Sequence, residues 1–86
     1  MTFAVVWSLP ALQAAARVEQ ASGDPAAVRA AQDRIDFALR RMARDLGESR
    51  DPGYRVWYED VLGVFYRIDE DAQRVEVLFA GPARRR

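Results

Sequence analysis

Arginine is the side chain in this sequence with the clearest chemical reach. The chain has 13 basic residues, all of them arginine, and contains no histidine, cysteine or lysine. Arg50, Arg55 and Arg67 lie on or beside segments that read as short strands, and a cluster, Arg84-Arg85-Arg86, follows the last of these segments. A guanidinium keeps its charge at any ordinary pH and cannot act as a general base. It is suited to gripping phosphate or carboxylate through two parallel hydrogen bonds. The groups that usually exchange protons near neutrality are missing. The chemistry left open is electrostatic stabilisation of an anion, with proton transfer falling to a tyrosine, a carboxylate or a partner. The acids of Glu59-Asp60 and Asp69-Glu70-Asp71 fall in turns, where they are common for conformational reasons. They support no metal site, and no cofactor is expected.

Charge and composition bound the partners. The formal net charge of the 86 residues is zero, so attraction to RNA must come from local clustering. No run approaches the ~20 apolar residues that cross a bilayer, so no membrane partner is expected. The opening Met1-Thr2-Phe3-Ala4-Val5-Val6-Trp7-Ser8 lacks a basic leader and reads as a strand instead of a signal peptide. Without cysteine there are no disulfides, which fits a cytoplasmic protein.

The elements follow from periodicity. Residues 2–7 are apolar on both alternating faces, which suits an inner strand. Ser8 can cap a helix with Pro10 in its first turn, and Leu9, Leu12, Ala15, Ala16 and Val18 recur at helical spacing. Ala21-Ser22-Gly23 breaks that helix, and Asp24-Pro25 opens a second. Its apolar stripe is Val28, Ala31, Ile35, Ala38, Leu39, Met42 and Leu46, with Gly47 as its end. Opposite charges four apart, Arg29–Asp33, Asp36–Arg40 and Arg41–Asp45, support it. Glu48-Ser49-Arg50 reads as a possible short strand before the Asp51-Pro52-Gly53 turn, and three strands follow. The expected class is α+β: one β-α-α-β-β-β(β) domain over residues 1–86, with two helices on one face of a mostly antiparallel sheet. The first strand must insert beside a late one, and a parallel pairing is expected.

Alternation then divides the sheet. If the helices cover Val56, Val64 and Val77, with Ile35, Leu39 and Met42 against them, the other face displays Arg55, Trp57, Phe65, Arg67 and Glu76. Two readings fit such a face. Arg55, Arg67 and Glu76 can be solvated cross-strand partners. Alternatively, the arginines bind phosphates while rings such as Trp57 stack on bases, as single-stranded RNA is held.

The Gly53-Tyr54-Arg55-Val56-Trp57-Tyr58 segment is similar to the G-Y-R-hydrophobic-hydrophobic-Y strand of RelE/ParE toxins. Val75-Glu76-Val77-Leu78-Phe79-Ala80-Gly81 followed by arginines resembles that family's closing strand, and the element order matches. The resemblance implies the toxin of a type II toxin–antitoxin pair, with a cognate antitoxin as partner. RelE-like members cleave mRNA on the ribosome, the 2′-hydroxyl attacking the adjacent phosphate; ParE-like members inhibit DNA gyrase. It assigns Arg55 and Arg84 as catalytic residues; the open-face reading adds Trp57 and Arg67 as RNA contacts, and Arg50, Arg85 and Arg86 are expected to join them. The sequence departs from the pattern: Gly81-Pro82-Ala83 sets Arg84 one position late, and with no lysine or histidine no general base is identified. The strand before Gly53 offers only Arg50, and no tyrosine follows Phe79. The alternative is a non-catalytic binding protein of the same fold, a gyrase inhibitor or a decayed toxin that retains antitoxin binding.

Overall fold

The computed structural model describes residues 2–51 and 53–83. The element order is β1 (Ala4–Trp7), α1 (Leu9–Ala21), α2 (Pro25–Met42), β2 (Glu48–Asp51), β3 (Tyr54–Glu59), β4 (Leu62–Asp69) and β5 (Arg74–Pro82). The five strands form one sheet in the order β1-β5-β4-β3-β2. β1 runs parallel to β5 and every other pairing is antiparallel. Both helices pack on one face, which is the expected α+β arrangement.

Local signals set the helix starts. The Ser8 hydroxyl accepts from Ala11 N at 3.2 Å and donates to Leu78 O at 3.2 Å, so one side chain both caps α1 and ties it to β5. The Asp24 carboxylate accepts from Ala27 N at 3.2 Å and opens α2. Pro10 and Pro25 occupy first-turn positions, where a missing N–H costs nothing.

The core departs from the expected stripes in three places. In α1 the buried residues are Ala11, Ala14 and Ala15, while Leu9 and Leu12 are 65% and 44% exposed. Small side chains let α1 lie close on β5, and the larger leucines turn outward. In α2, Val28, Ala31, Ile35, Ala38 and Leu39 are buried as expected, but the helix ends at Met42, which is 46% exposed. Ala43, in the following turn, is fully buried instead. β1 is an edge strand, not an inner one: Val5 and Trp7 face the helices, and Val6 is 45% exposed on the other side.

Of the three expected ion pairs along α2, only Asp36–Arg40 forms, at 3.0 Å. Arg29 reaches Glu19 on α1 at 2.6 Å instead of Asp33. Arg41 lies over the Phe37 ring, 4.6 Å from its centroid, instead of meeting Asp45. Asp36 also accepts from the Trp7 indole at 3.0 Å, and Phe3 N donates to Arg40 O at 2.7 Å, so α2 holds β1 in place.

Candidate functional site: the open face of the sheet

Cross-strand register decides which side chains share a face. Directly paired residues project to the same side. Arg55 pairs with Tyr66, Trp57 with Val64, and Glu59 with Leu62. Leu62, Val64 and Tyr66 are buried beneath the helices. Arg55 and Trp57 are therefore on the helix side of β3, and Val56, paired with Phe65, is on the open side. This reverses the expected phase of β3. It follows from the two-residue Asp60-Val61 connection, which makes Glu59 and Leu62 direct partners. Trp57 packs against the core and the α2 flank instead of offering a stacking surface. Val56 is removed from the set expected to meet Ile35 and Leu39.

Arg55 is engaged by the backbone. Its Nε donates to Leu46 O at 2.7 Å and its Nη2 to Gly47 O at 3.4 Å. The buried Tyr66 hydroxyl reaches Ala43 O at 2.9 Å and Leu46 O at 3.0 Å. Together they satisfy the Ala43 carbonyl at the cap of α2 and the Leu46 and Gly47 carbonyls of the turn that follows it. Burial pushes the Tyr66 phenol above its ordinary value, and the neighbouring Arg55 charge and hydrogen bond oppose that rise.

The other expected positions separate. Arg67 does lie on the open face, where it pairs with Glu76 at 3.2 Å. Arg50, in β2, pairs with Glu48 at 3.2 Å on the exposed surface. Arg84, Arg85 and Arg86 lie outside the described residues. Arg55 and Arg67 thus point to opposite sides of the sheet, and no shared cationic cradle forms among the described residues.

The open face presents rings in place of that cradle. Tyr54 stacks on Phe65 with centroids 5.6 Å apart and planes at 14°. Tyr58 is 58% exposed, and its ring lies over Gly63, where an added Cβ would fall 2.5 Å from the ring. Phe79 is 52% exposed beside them. Sequence alternation expected Phe79 to share a face with Val75 and Val77. A bulge at Leu78 reverses it, because Phe65 pairs with Phe79 while Tyr66 pairs with Val77. Ala80 turns inward in its place. Val56, Tyr58, Gly63, Phe65, Phe79 and Pro82 line a shallow cleft of about 220 Å³. The charges toward the far end of this face are matched: Arg67 with Glu76 and Arg74 with Asp69 at 3.8 Å. Among the described residues no group of three or more acids is placed to hold a metal ion. The chemistry this surface supports is apolar and aromatic contact with phenol hydrogen bonds.

No protein-family model matches the chain, and no curated protein sequence matches it significantly. Solved structures do. A chain of the toxin–antitoxin complex RelBE2 from Mycobacterium tuberculosis superposes with a TM-score of 0.78 at 20% identity, covering 96% of this chain and 100% of that one. A chain of the chromosomal ParDE system from P. aeruginosa gives 0.75 at 13% identity, covering 96% and 98%. The isolated E. coli RelE toxin gives 0.59 at 12% identity, covering 100% and 88%. These matches run over nearly the whole β-α-α-β-β-β-β order, so this chain has the RelE/ParE toxin fold.

Proposed function

We propose that this chain is the toxin of a toxin–antitoxin pair and that it acts in the cytoplasm by binding a protein target through the open face, without cutting RNA. The antitoxin partner is inferred from the similar chains, which come from toxin–antitoxin systems. The observation that carries the binding mode is the open face itself, where Tyr54, Tyr58, Phe65 and Phe79 gather and Arg67 is already paired with Glu76. Exposed aromatic clusters with a polar rim favour protein contacts. Arg55, the strongest nuclease candidate from sequence, is engaged with Leu46 O and Gly47 O. DNA gyrase is the target that the resemblance to ParE-like members implies.

The competing reading is ribosome-dependent mRNA cleavage. It needs Arg67 to leave Glu76 and Arg84–Arg86 to supply further positive charge. Induced expression with mapping of transcript ends and assay of DNA breaks separates the two. DNA damage or gyrase inhibition with intact transcripts is the expected result. Codon-phased cuts in translated mRNA, lost in Arg67→Ala, would establish the nuclease in its place.

A further inference from the structure

The outer ridge of α2 carries an aromatic ring that the fold does not use. Phe37 is 60% exposed at mid-helix, while Ile35 and Leu39 beside it are fully buried. At 100° per residue its side chain leaves the helix almost opposite to theirs. Its ring contact is the Arg41 guanidinium, 4.6 Å from the centroid. One turn before Phe37 stands Asp33, which has no ion pair and no side-chain hydrogen bond among the described residues. Arg41, one turn after, has no carboxylate partner there either. Their neighbours are paired: Asp36 with Arg40, Arg29 with Glu19, and Arg34 with Glu59 at 3.0 Å. Asp33, Phe37 and Arg41 thus form an unmatched acid–ring–base series along one exposed line.

We propose that this ridge is the docking surface for a second copy of the same chain, with the two α2 helices antiparallel and the two-fold axis passing at Phe37. In that arrangement the residue n positions after Phe37 faces the residue n positions before it in the other copy. Asp33 then meets Arg41 of the second copy, and Arg41 meets its Asp33, while the two Phe37 rings face each other. The match is self-complementary at the unpaired charges, as a two-fold interface requires, and the other facing pair, Arg34 and Arg40, is neutralised within each copy by Glu59 and Asp36. A parallel pairing would set like charges side by side, and a uniformly acidic or basic partner would match one end of the series only. Ala30, about two turns before Phe37 and exposed, leaves room for close approach. Beside the ridge, Ala38, Met42, Leu46 and Trp57 line an apolar groove of about 470 Å³ that extends the contact surface. The open sheet face lies on the other side of the sheet from α2, so this pairing leaves the aromatic surface free.

The test is sedimentation equilibrium of the purified full chain over a wide concentration range, with circular dichroism to show that each variant is folded. The wild type is expected to dimerise reversibly. Asp33→Arg alone and Arg41→Asp alone should each weaken the dimer by roughly tenfold or more, because each replaces attraction with repulsion across the axis. The double variant Asp33→Arg/Arg41→Asp restores the matched order and should recover dimerisation to within about threefold. An equimolar mixture of the two single variants should form the heterodimer. A monomer at every concentration would overturn the proposal. So would a dimer indifferent to the single charge reversals, or ridge variants that weaken only antitoxin capture.

Discussion

Arg55 Nε and Tyr66 Oη donate to one acceptor, the carbonyl oxygen of Leu46, at 2.7 and 3.0 Å. The two side chains are direct cross-strand partners on β3 and β4, and they meet the chain where it leaves α2. Gly47 follows with φ +70°, a conformation that glycine adopts without the cost of a Cβ. This joint fixes the angle at which α2 hands the chain to β2.

Arg55→Ala is therefore expected to destabilise the fold, by about 1–3 kcal/mol, since it removes a charged donor from part-buried carbonyls. Arg55→Lys should recover only part of this, because an ammonium cannot reproduce the planar fork. Urea denaturation measures both. A change in Arg55→Ala below about 0.5 kcal/mol, the range of ordinary surface sites, would show that the joint is not what Arg55 supports.

Tyr66 gives the molecule an alkaline weak point. Its folded pKa is raised by burial, with Arg55 opposing. Below the ordinary phenol value of about 10, folded and unfolded chains both keep the proton and the contribution is intact. Above it, the unfolded chain releases its proton first, so stability falls as pH rises from there through the folded pKa. Lysine is absent, so its titration does not obscure this window. Tyr66→Phe should flatten the alkaline slope while costing about 1–3 kcal/mol at neutral pH from the lost donor. Denaturation curves collected from pH 8 to 11.5, roughly spanning that transition, measure the effect.

The face of α2 can be checked by truncation. Ile35 is fully buried against the sheet. Ile35→Ala should cost ~2–5 kcal/mol. Phe37→Ala, two residues along on the opposite side, should change the stability of the monomer, measured at low protein concentration, by less than about 0.5 kcal/mol.

The open face should separate function from stability. Tyr58→Ala and Phe79→Ala remove exposed rings, and each is expected to abolish growth inhibition while shifting stability by less than about 1 kcal/mol. Gly63→Ala places a methyl group against the Tyr58 ring and should displace it. Its effect on inhibition should follow that of Tyr58→Ala. Full toxicity in both ring variants would remove the open face from the mechanism.

Much of this fold was legible in the sequence because its signals are local. Ser8 and Asp24 marked the helix starts, the α2 stripe marked Ile35 and Leu39 as core, and the β-branched and aromatic runs marked the late strands. The Gly53-Tyr54-Arg55 segment and the closing strand carried the family resemblance. Which face a strand side chain takes was not legible, because a period of two fixes only relative positions within one strand. The phase of β3 came from the Asp60-Val61 connection, and it turned Arg55 and Trp57 inward. The Leu78 bulge, seen only in the β4–β5 pairing, turned Phe79 outward. The ion pairs along α2 were also decided in three dimensions: Arg29 found Glu19 on another helix, Arg41 settled over the Phe37 ring, and Asp33 found no ion pair among the described residues. Residue types set the available chemistry; strand pairing decided which of them meet.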